Sequence, residues 1–586
     1  MKALKSLNKY LYKYRGRLLL GFIITIGARV FSVFTPQLIR NSTNAIEDYL
    51  NGEVTSVAEV REELLINIGL IVGAALASAI LTFLMRQTFI VVSRYIEFDL
   101  KNEVYTQYQN LSLDFYKRNR TGDLMNRISE DVSKVRMYVG PALMYGVQTL
   151  TLFVVVIYFM IKAAPTLTLY TLIPFPILSF AIYKLSVAIN KRSAEIQRFL
   201  SHLNTYTQES FSGIAVIKSY GILKRFNTDF EKLSHESKDK NVNLAKVEAF
   251  FFPLMILLIG FSNLFVIYFG GMQYIDGKIE NVGVIVEFLL YVNMLTWPVA
   301  SVGWITSMVQ RAEASQERIN EFLSESPNVK NYSPDSSEVI KGEIEFKNVS
   351  FTYEDTNIVA LRNISFKVKK GETLAIMGKT GSGKSTILEL IGRLYDVDKG
   401  EILIDGKPIE SFNLDNLRQQ LGYVPQDAFL FNSSIRDNIK FGKADATEED
   451  IINAAKNAAV HSNIIEFSKG YDTILGERGI TLSGGQKQRV SIARAIIKDP
   501  QIVLFDDCLS AVDTETEEEI FNKLNKISNN KTSVVVSHRA SSAKNANHII
   551  VLDDGEILEE GTHSELIAQN GYYKDLYNKQ LSEKES

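Results

Sequence analysis

The chain has 586 residues, 46% of them apolar and 22% charged, with a formal net charge of −3. That balance excludes a disordered, collagen-like or disulfide-scaffold protein, and it argues against a nucleic-acid binder that works by bulk positive charge. The single cysteine, Cys508, excludes an intrachain disulfide and any cysteine-rich zinc or iron–sulfur site.

In chain order, the first features are long apolar runs: Leu18 to Ile39, Leu64 to Val92, Val139 to Ile161, Leu167 to Ile189, Ala249 to Phe269 and Val284 to Val309. Each holds about 20 residues or more, enough to cross a ~30 Å hydrocarbon core as a helix. The first run follows basic residues, but it is too long for a signal peptide, lacks a small-x-small site at its end and contains Arg29. It therefore reads as a retained membrane helix.

The stretches after runs two and four are rich in cations, among them Lys117, Arg118 and Arg120 in one and Lys218, Lys224 and Arg225 in the other. An excess of Lys and Arg marks the cytoplasmic side, so the amino terminus and both basic stretches are expected there. Each spans about 45–60 residues, too long for a structureless loop. Apolar residues recur at helical spacing, as in Ile96, Leu100, Val104, Tyr108 and Leu111. The spans are expected to continue as helical stalks reaching roughly 30–37 Å below the membrane. Turn signals fall near Asn119 to Gly122 and at Ser212-Gly213.

Ser324 to Lys341 is polar, contains Pro327 and Pro334, and reads as a linker. The expected division is a transmembrane domain over 1–323, a linker over 324–341 and a second domain over 342–580. In that second domain short β-rich runs, such as Thr373 to Met377, Ile502 to Phe505, Ser533 to Val536 and Ile549 to Leu552, alternate with helical patterns. The alternation predicts an α/β domain around a largely parallel sheet.

Residues 378–385 read GKTGSGKS, between an apolar strand and a helical run. In such a loop, glycines let backbone N–H groups wrap phosphates at a positive helix N-terminus. Lys384 supplies a charge for the β/γ-phosphates and Ser385 a hydroxyl for Mg²⁺. Asp506, at the end of the strand from Ile502, suits a second ligand on the Mg²⁺ side. Farther along, Leu482, Ser483, Gly484, Gly485 and Gln486 open a basic helical run and make a second anion cradle. One nucleotide does not need two cradles in one domain. A dimer in which each chain's second cradle caps the other's nucleotide uses both.

The order of phosphate loop, Gln426, LSGGQ, Asp506, Ser510 to Asp513 and His538 resembles an ATP-binding cassette. With six spans fused ahead of it, the chain resembles the half-transporters of ABC exporters, the type I six-helix class. The resemblance implies ATP and Mg²⁺ as cofactors, and Gly378, Lys379, Thr380, Gly381, Ser382, Gly383, Lys384, Ser385 and Thr386 as the nucleotide cradle. Tyr353 would stack on adenine, Gln426 would sense Mg²⁺ and the attacking water, and His538 would hold the γ-phosphate. Leu482 to Gln486 and Asp513 would face the partner's nucleotide and subunit.

The family usually follows the strand aspartate with Glu; this chain has Asp507. Its carboxylate falls about 1–1.5 Å short, and misplacement on that scale can cost around 10²-fold. The pattern resembles the slow-site member of heterodimeric bacterial multidrug exporters, with Asp507, His538 and Gln426 as catalytic residues. The expected partners are a second half-transporter, the lipid bilayer of a bacterial cytoplasmic membrane and a hydrophobic or amphipathic substrate, with no nucleic acid. A homodimer exporting lipid or peptide and an ATP-gated channel remain open. Arg29 suits either an anionic substrate group or a pairing role within the bundle.

Overall fold

The computed structural model describes residues 2–332, 338–508, 520 and 531–585. These form two compact units, the first made of residues 1–109 and 122–324 and the second of 110–121 and 325–586.

Among the described residues of the first unit, six helices are long and apolar enough to cross a membrane. They run over Arg15–Leu50 (α1), Val57–Asn110 (α2), Thr121–Ala163, Pro165–Ser212, Leu223–Ile275 and Gly283–Ser324 (α9). The apolar runs therefore lie within helices of 36 to 54 residues. At 1.5 Å per residue the longest spans about 80 Å, well beyond the hydrocarbon thickness. The breaks fall at the sequence's turn signals. A short helix, Leu113–Arg118 (α3), interrupts the first stalk, and Ile214–Ser219 follows Gly213 in the second.

Buried polar pairs hold this bundle in register. Glu287 on α9 is ion-paired to Arg40 of α1 at 3.2 Å and accepts a hydrogen bond from the Tyr291 hydroxyl at 2.8 Å. Asp131 accepts from Ser315 Oγ at 2.8 Å and from Arg318 Nε at 3.0 Å. Such groups are costly in an apolar interior unless mutually satisfied, so each pair fixes two helices against sliding. Arg29 finds a partner within the bundle: with the Gln148 amide turned to present its oxygen, Arg29 Nε donates to it at 3.2 Å.

In the second unit the described strands form two sheets. One has the order β10-β9-β3-β8-β7-β6. Here β3 is Thr373–Gly378, β6 Leu421–Val424, β7 Ile502–Asp506, β8 Thr532–Val536, β9 His548–Asp553 and β10 Glu556–Gly561. All its pairings are parallel except that of the edge strand β10. The other sheet is antiparallel, β2-β1-β4-β5, built from Ile344–Tyr353 (β1), Ile358–Val368 (β2), Lys399–Ile404 (β4) and Lys407–Pro408 (β5). The expectation of a largely parallel sheet did not include this one. Register shifts interrupt β1 between Phe346 and Val349 and again before Thr352, which breaks the simple alternation that reveals a strand.

The polar stretch after Ser324 lies against this second unit. Lys330 O accepts from Arg393 Nη2 at 2.9 Å, the Val329 amide donates to Ser112 Oγ at 3.0 Å, and the Ile340 amide donates to Gln420 Oε1 at 2.8 Å.

Candidate functional site

Strand order brings the site together. In the parallel sheet β3, β8, β7 and β6 are successive neighbours. The phosphate loop follows β3, His538 follows β8, Asp506 and Asp507 stand at the end of β7, and Gln426 lies just past β6. All therefore emerge at the carboxyl ends of adjacent parallel strands, where open α/β sheets bind ligands. His538, 154 residues beyond Lys384 in sequence, comes beside the loop because β8 is inserted between β3 and β7.

The phosphate loop has the backbone that its glycines permit. Gly378 has φ 142° and Gly383 φ 96°. A Cβ at Gly378 would lie 2.2 Å from Leu552 O, and one at Gly383 would lie 2.4 Å from Ala360 O. No residue with a side chain fits at either position. Lys384 begins helix α10 (Lys384–Ile391) and is only 6% exposed. Its ammonium donates to Gly378 O at 3.0 Å and Lys379 O at 2.7 Å, spanning the mouth of the loop. Burial holds it below the ordinary lysine range, against the opposing pull of Asp507 and Asp506. Ser382 Oγ is buried within the loop without a hydrogen-bond partner, and a buried hydroxyl of this kind costs free energy until something pairs with it. A phosphate oxygen would supply such a partner.

Ser385 Oγ donates to Asp506 Oδ1 at 2.8 Å. Burial pushes the Asp506 carboxyl up, and the Ser385 hydrogen bond partly offsets this. Two hard oxygen donors side by side at a phosphate loop fit Mg²⁺, which takes few protein ligands and completes its shell with phosphate and water. Asp507 has φ 42°, a left-handed conformation that Asp tolerates better than most residues, and its amide donates to Val536 O at 3.0 Å. His538 is held below the ordinary histidine range by burial and by the Lys384 ammonium, with Asp507 acting the other way. The three groups thus sense one another electrostatically. Gln426 is exposed beside them.

Tyr353 closes β1, and its hydroxyl lies 3.0 Å from Thr386 Oγ1 and donates to Glu389 Oε2 at 2.7 Å, so the ring is tied to the helix that follows the phosphate loop. Lys117, on α3, places its ammonium 4.5 Å from the Tyr353 ring centroid and 4.9 Å from that of Tyr395. Glu389 did not stand out in the sequence, and Lys117 did so only as one cation of a basic stretch. Glu389 sits on α10 at helical spacing from Ser385, a signal that was available; nothing local ties Lys117 to Tyr353, because only the fold brings them together.

The second cradle behaves differently. Ser483 caps helix α11 (Gly484–Ile496), with its hydroxyl accepting from the Gln486 amide at 3.3 Å while Gln486 Oε1 accepts from the Ser483 amide at 3.0 Å. This reciprocal box fixes the start of the helix. Leu482 is buried in a core cluster with Val490 and Ile492, separate from the cluster that holds β3 and α10. Ser483 and Gly484 are exposed. Ser510 to Asp513 lie outside the described residues. Cys508 is buried at 2% exposure in the same cluster as Leu482, in keeping with a small apolar filler.

The sheet, the glycine-shaped cradle and the exposed second cradle define a phosphate-loop ATPase cassette fused behind a bundle of six membrane helices. Comparison with known proteins gives the family. The pattern described as "ABC transporter transmembrane region" matches residues 18–299, and that described as "ABC transporter" matches 361–510. The chain is 35% identical to "Probable multidrug resistance ABC transporter ATP-binding/permease protein YheI" of Bacillus subtilis (strain 168), over 99% of this chain and 97% of that one. It is 36% identical to "ATP-dependent lipid A-core flippase" of Syntrophus aciditrophicus (strain SB), over 84% and 82% of the two chains. Among solved structures, a bacterial Atm1-family ABC exporter with ATP bound superposes with a TM-score of 0.79 and 25% identity, over 97% of this chain and 99% of that one. The chain belongs to the ABC exporters, with membrane region and cassette in one polypeptide. It is a multi-pass membrane protein that binds ATP and couples its hydrolysis to transport.

Proposed function

We propose that this chain is one half of a heterodimeric bacterial exporter of hydrophobic or amphipathic compounds, and that its own ATP site turns over slowly. The observation that carries this reading is Asp507. It occupies the position of the catalytic base, within electrostatic reach of Lys384 and His538, but with a side chain one methylene shorter than Glu. The remainder of the cradle is intact. ATP therefore binds and clamps the dimer, while the attacking water is poorly activated at this site. Ser483, Gly484 and Gly485 complete the partner's site, where the usual base restores turnover.

In this scheme Gly378 to Thr386 hold the triphosphate, and Tyr353 stacks on adenine. His538 holds the γ-phosphate, and Asp513 contacts the facing subunit. Ser385, Asp506 and Gln426 hold Mg²⁺, which neutralises charge on the β/γ-oxygens when it is bound with ATP. ATP favours the closed pair of cassettes over the open one, and that differential affinity shifts the stalks and turns the bundle outward. The basic stretches and the amino terminus lie in the cytoplasm of a bacterium and the spans in its inner membrane.

The multidrug assignment of the Bacillus relative supports the substrate class. The Syntrophus relative, named a lipid flippase, supports the lipid part of a second reading, a homodimeric exporter or flippase of lipid or peptide. Replacing Asp507 with Glu tests the main one. Hydrolysis at this chain's site is expected to rise about tenfold or more. No gain in the purified assembly overturns the slow-site reading, and full activity of this chain purified alone favours the homodimer. Uphill accumulation of a dye in inside-out vesicles separates a pump from a gated channel.

A further inference from the structure

The helix Tyr572–Glu585 (α13), at the carboxyl end of the described chain, does more than cover the sheet. Its Tyr573 is fully buried in a cluster with Ala540, Ala543 and Val551 and with Ala375 and Met377 of β3, the strand that leads into the phosphate loop. Its first turn is fixed because the Glu559 carboxylate accepts from the Tyr572 and Tyr573 amides. The Tyr573 hydroxyl lies 2.7 Å from His563 Nδ1. Two turns farther on, Gln580 reaches the backbone around His538. Its Nε2 donates to His538 O at 2.9 Å, and its Oε1 accepts from the Ala540 amide at 2.7 Å.

One side chain thus grips the peptide groups on both sides of Arg539. The pairing requires a group that donates and accepts at once. A carboxylate offers only acceptors and an ammonium only donors, so a carboxamide of this length is the suitable neutral choice. Other backbone ties at this turn run to β3 and within the turn itself: the Ser537 amide donates to Ile376 O at 3.2 Å and the Arg539 amide to Ser537 Oγ at 3.0 Å. Gln580 adds a tie from the carboxyl-terminal helix.

We propose that Gln580 is a positioning residue for ATP hydrolysis, clamping the turn that carries His538 so that its imidazole is held toward the γ-phosphate. The carboxyl-terminal helix then sets the hydrolysis rate without touching nucleotide. The inference rests on the reading of His538 given above.

The test uses the full-length assembled transporter in lipid vesicles, with the partner's site silenced so that hydrolysis at this chain's own site is what is read. Gln580→Met keeps the length and volume of the side chain and removes both hydrogen bonds. The single-turnover hydrolysis rate is expected to fall about 5-fold, as loss of hydrogen bonds to a positioned group implies, with the KM for ATP unchanged. Gln580→Glu keeps the acceptor for Ala540 but sets an oxygen against the His538 carbonyl, so its rate is expected to fall below that of the Met variant. In a His538→Ala background, Gln580→Met is expected to cause no further loss, whereas a merely structural role would add its own. If His538→Ala slows hydrolysis while Gln580→Met and Gln580→Glu keep the wild-type rate, the clamp is overturned and the site reading stands. If His538→Ala leaves hydrolysis unchanged, the site reading fails and the clamp fails with it. If the Met variant does not fold, Gln580→Asn, one methylene too short to reach both peptide groups, carries the same expectation.

Discussion

The two anion cradles of the cassette are built on opposite plans. The first is closed on itself: Lys384 folds over the loop onto the carbonyls of Gly378 and Lys379, and Ser385 is held by Asp506. The second ends in a capped but exposed helix start, with Ser483 and Gly484 open to solvent and their core neighbours in a different cluster. A cradle that folds around its own lysine can bind nucleotide within one chain. A cradle that presents backbone N–H groups outward has work to do only against something else. The comparison teaches why such a chain acts in pairs.

The contrast is sharpest in a Lys384→Ala variant. It removes the charge that spans the loop mouth, and hydrolysis at this chain's own site should fall about 10²–10³-fold together with nucleotide affinity there, read by single turnover and by binding of a fluorescent ATP analogue. Ser483→Arg should break the other half alone. If the helix start serves the facing site as proposed, turnover is expected to drop about 10²-fold while fluorescent-analogue affinity stays at the wild-type level. If Ser483→Arg abolished binding by its own chain, the distinction between the cradles would not hold.

Tyr353→Ala removes the proposed stacking platform; base–aromatic stacking is worth about 1–3 kcal/mol where single-stranded nucleic acids are bound, so the KM for ATP is expected to rise about tenfold with little change in kcat. A matching drop in kcat at saturating ATP would instead assign Tyr353 to the chemistry. The smallest effect concerns pH. Burial and Lys384 depress the His538 pKa, so the folded state resists protonation there while the unfolded chain does not. Stability from this residue is present above the ordinary histidine pKa of about 6.5 and is lost as pH falls toward the depressed value. A melting series from pH 7.5 to 5.5, by ~0.5-unit steps, should therefore decline more steeply for the wild type than for His538→Gln.

The membrane region repeats the lesson on a larger scale. The apolar window of α2 is mostly exposed within the chain, whereas half of that in α9 is buried. The same composition serves lipid or partner in one helix and the bundle core in the other. The ion pair of Glu287 with Arg40 shows which face of α9 turns inward. Hydropathy registers the length of a span but not the direction in which its sides point.

Much of the molecule could be read directly from its residues. The six spans follow from uninterrupted apolar length, because a shorter helix does not cross the hydrocarbon core and polar side chains are costly inside it. The phosphate loop and LSGGQ follow from short local patterns, because glycine spacing and a helix cap act over a few residues. Tertiary structure alone decided the rest. It set β8 between β3 and β7 and so brought His538 to the lysine. It set Lys117 on the ring of Tyr353 and Gln580 on the turn around Arg539, and it added the antiparallel sheet whose strands are irregular in register. These contacts join residues tens to hundreds of positions apart. Local pattern is governed by backbone geometry and helix or strand period, whereas such long-range meetings depend on which strands become neighbours, and that is settled only when the whole core is buried at once.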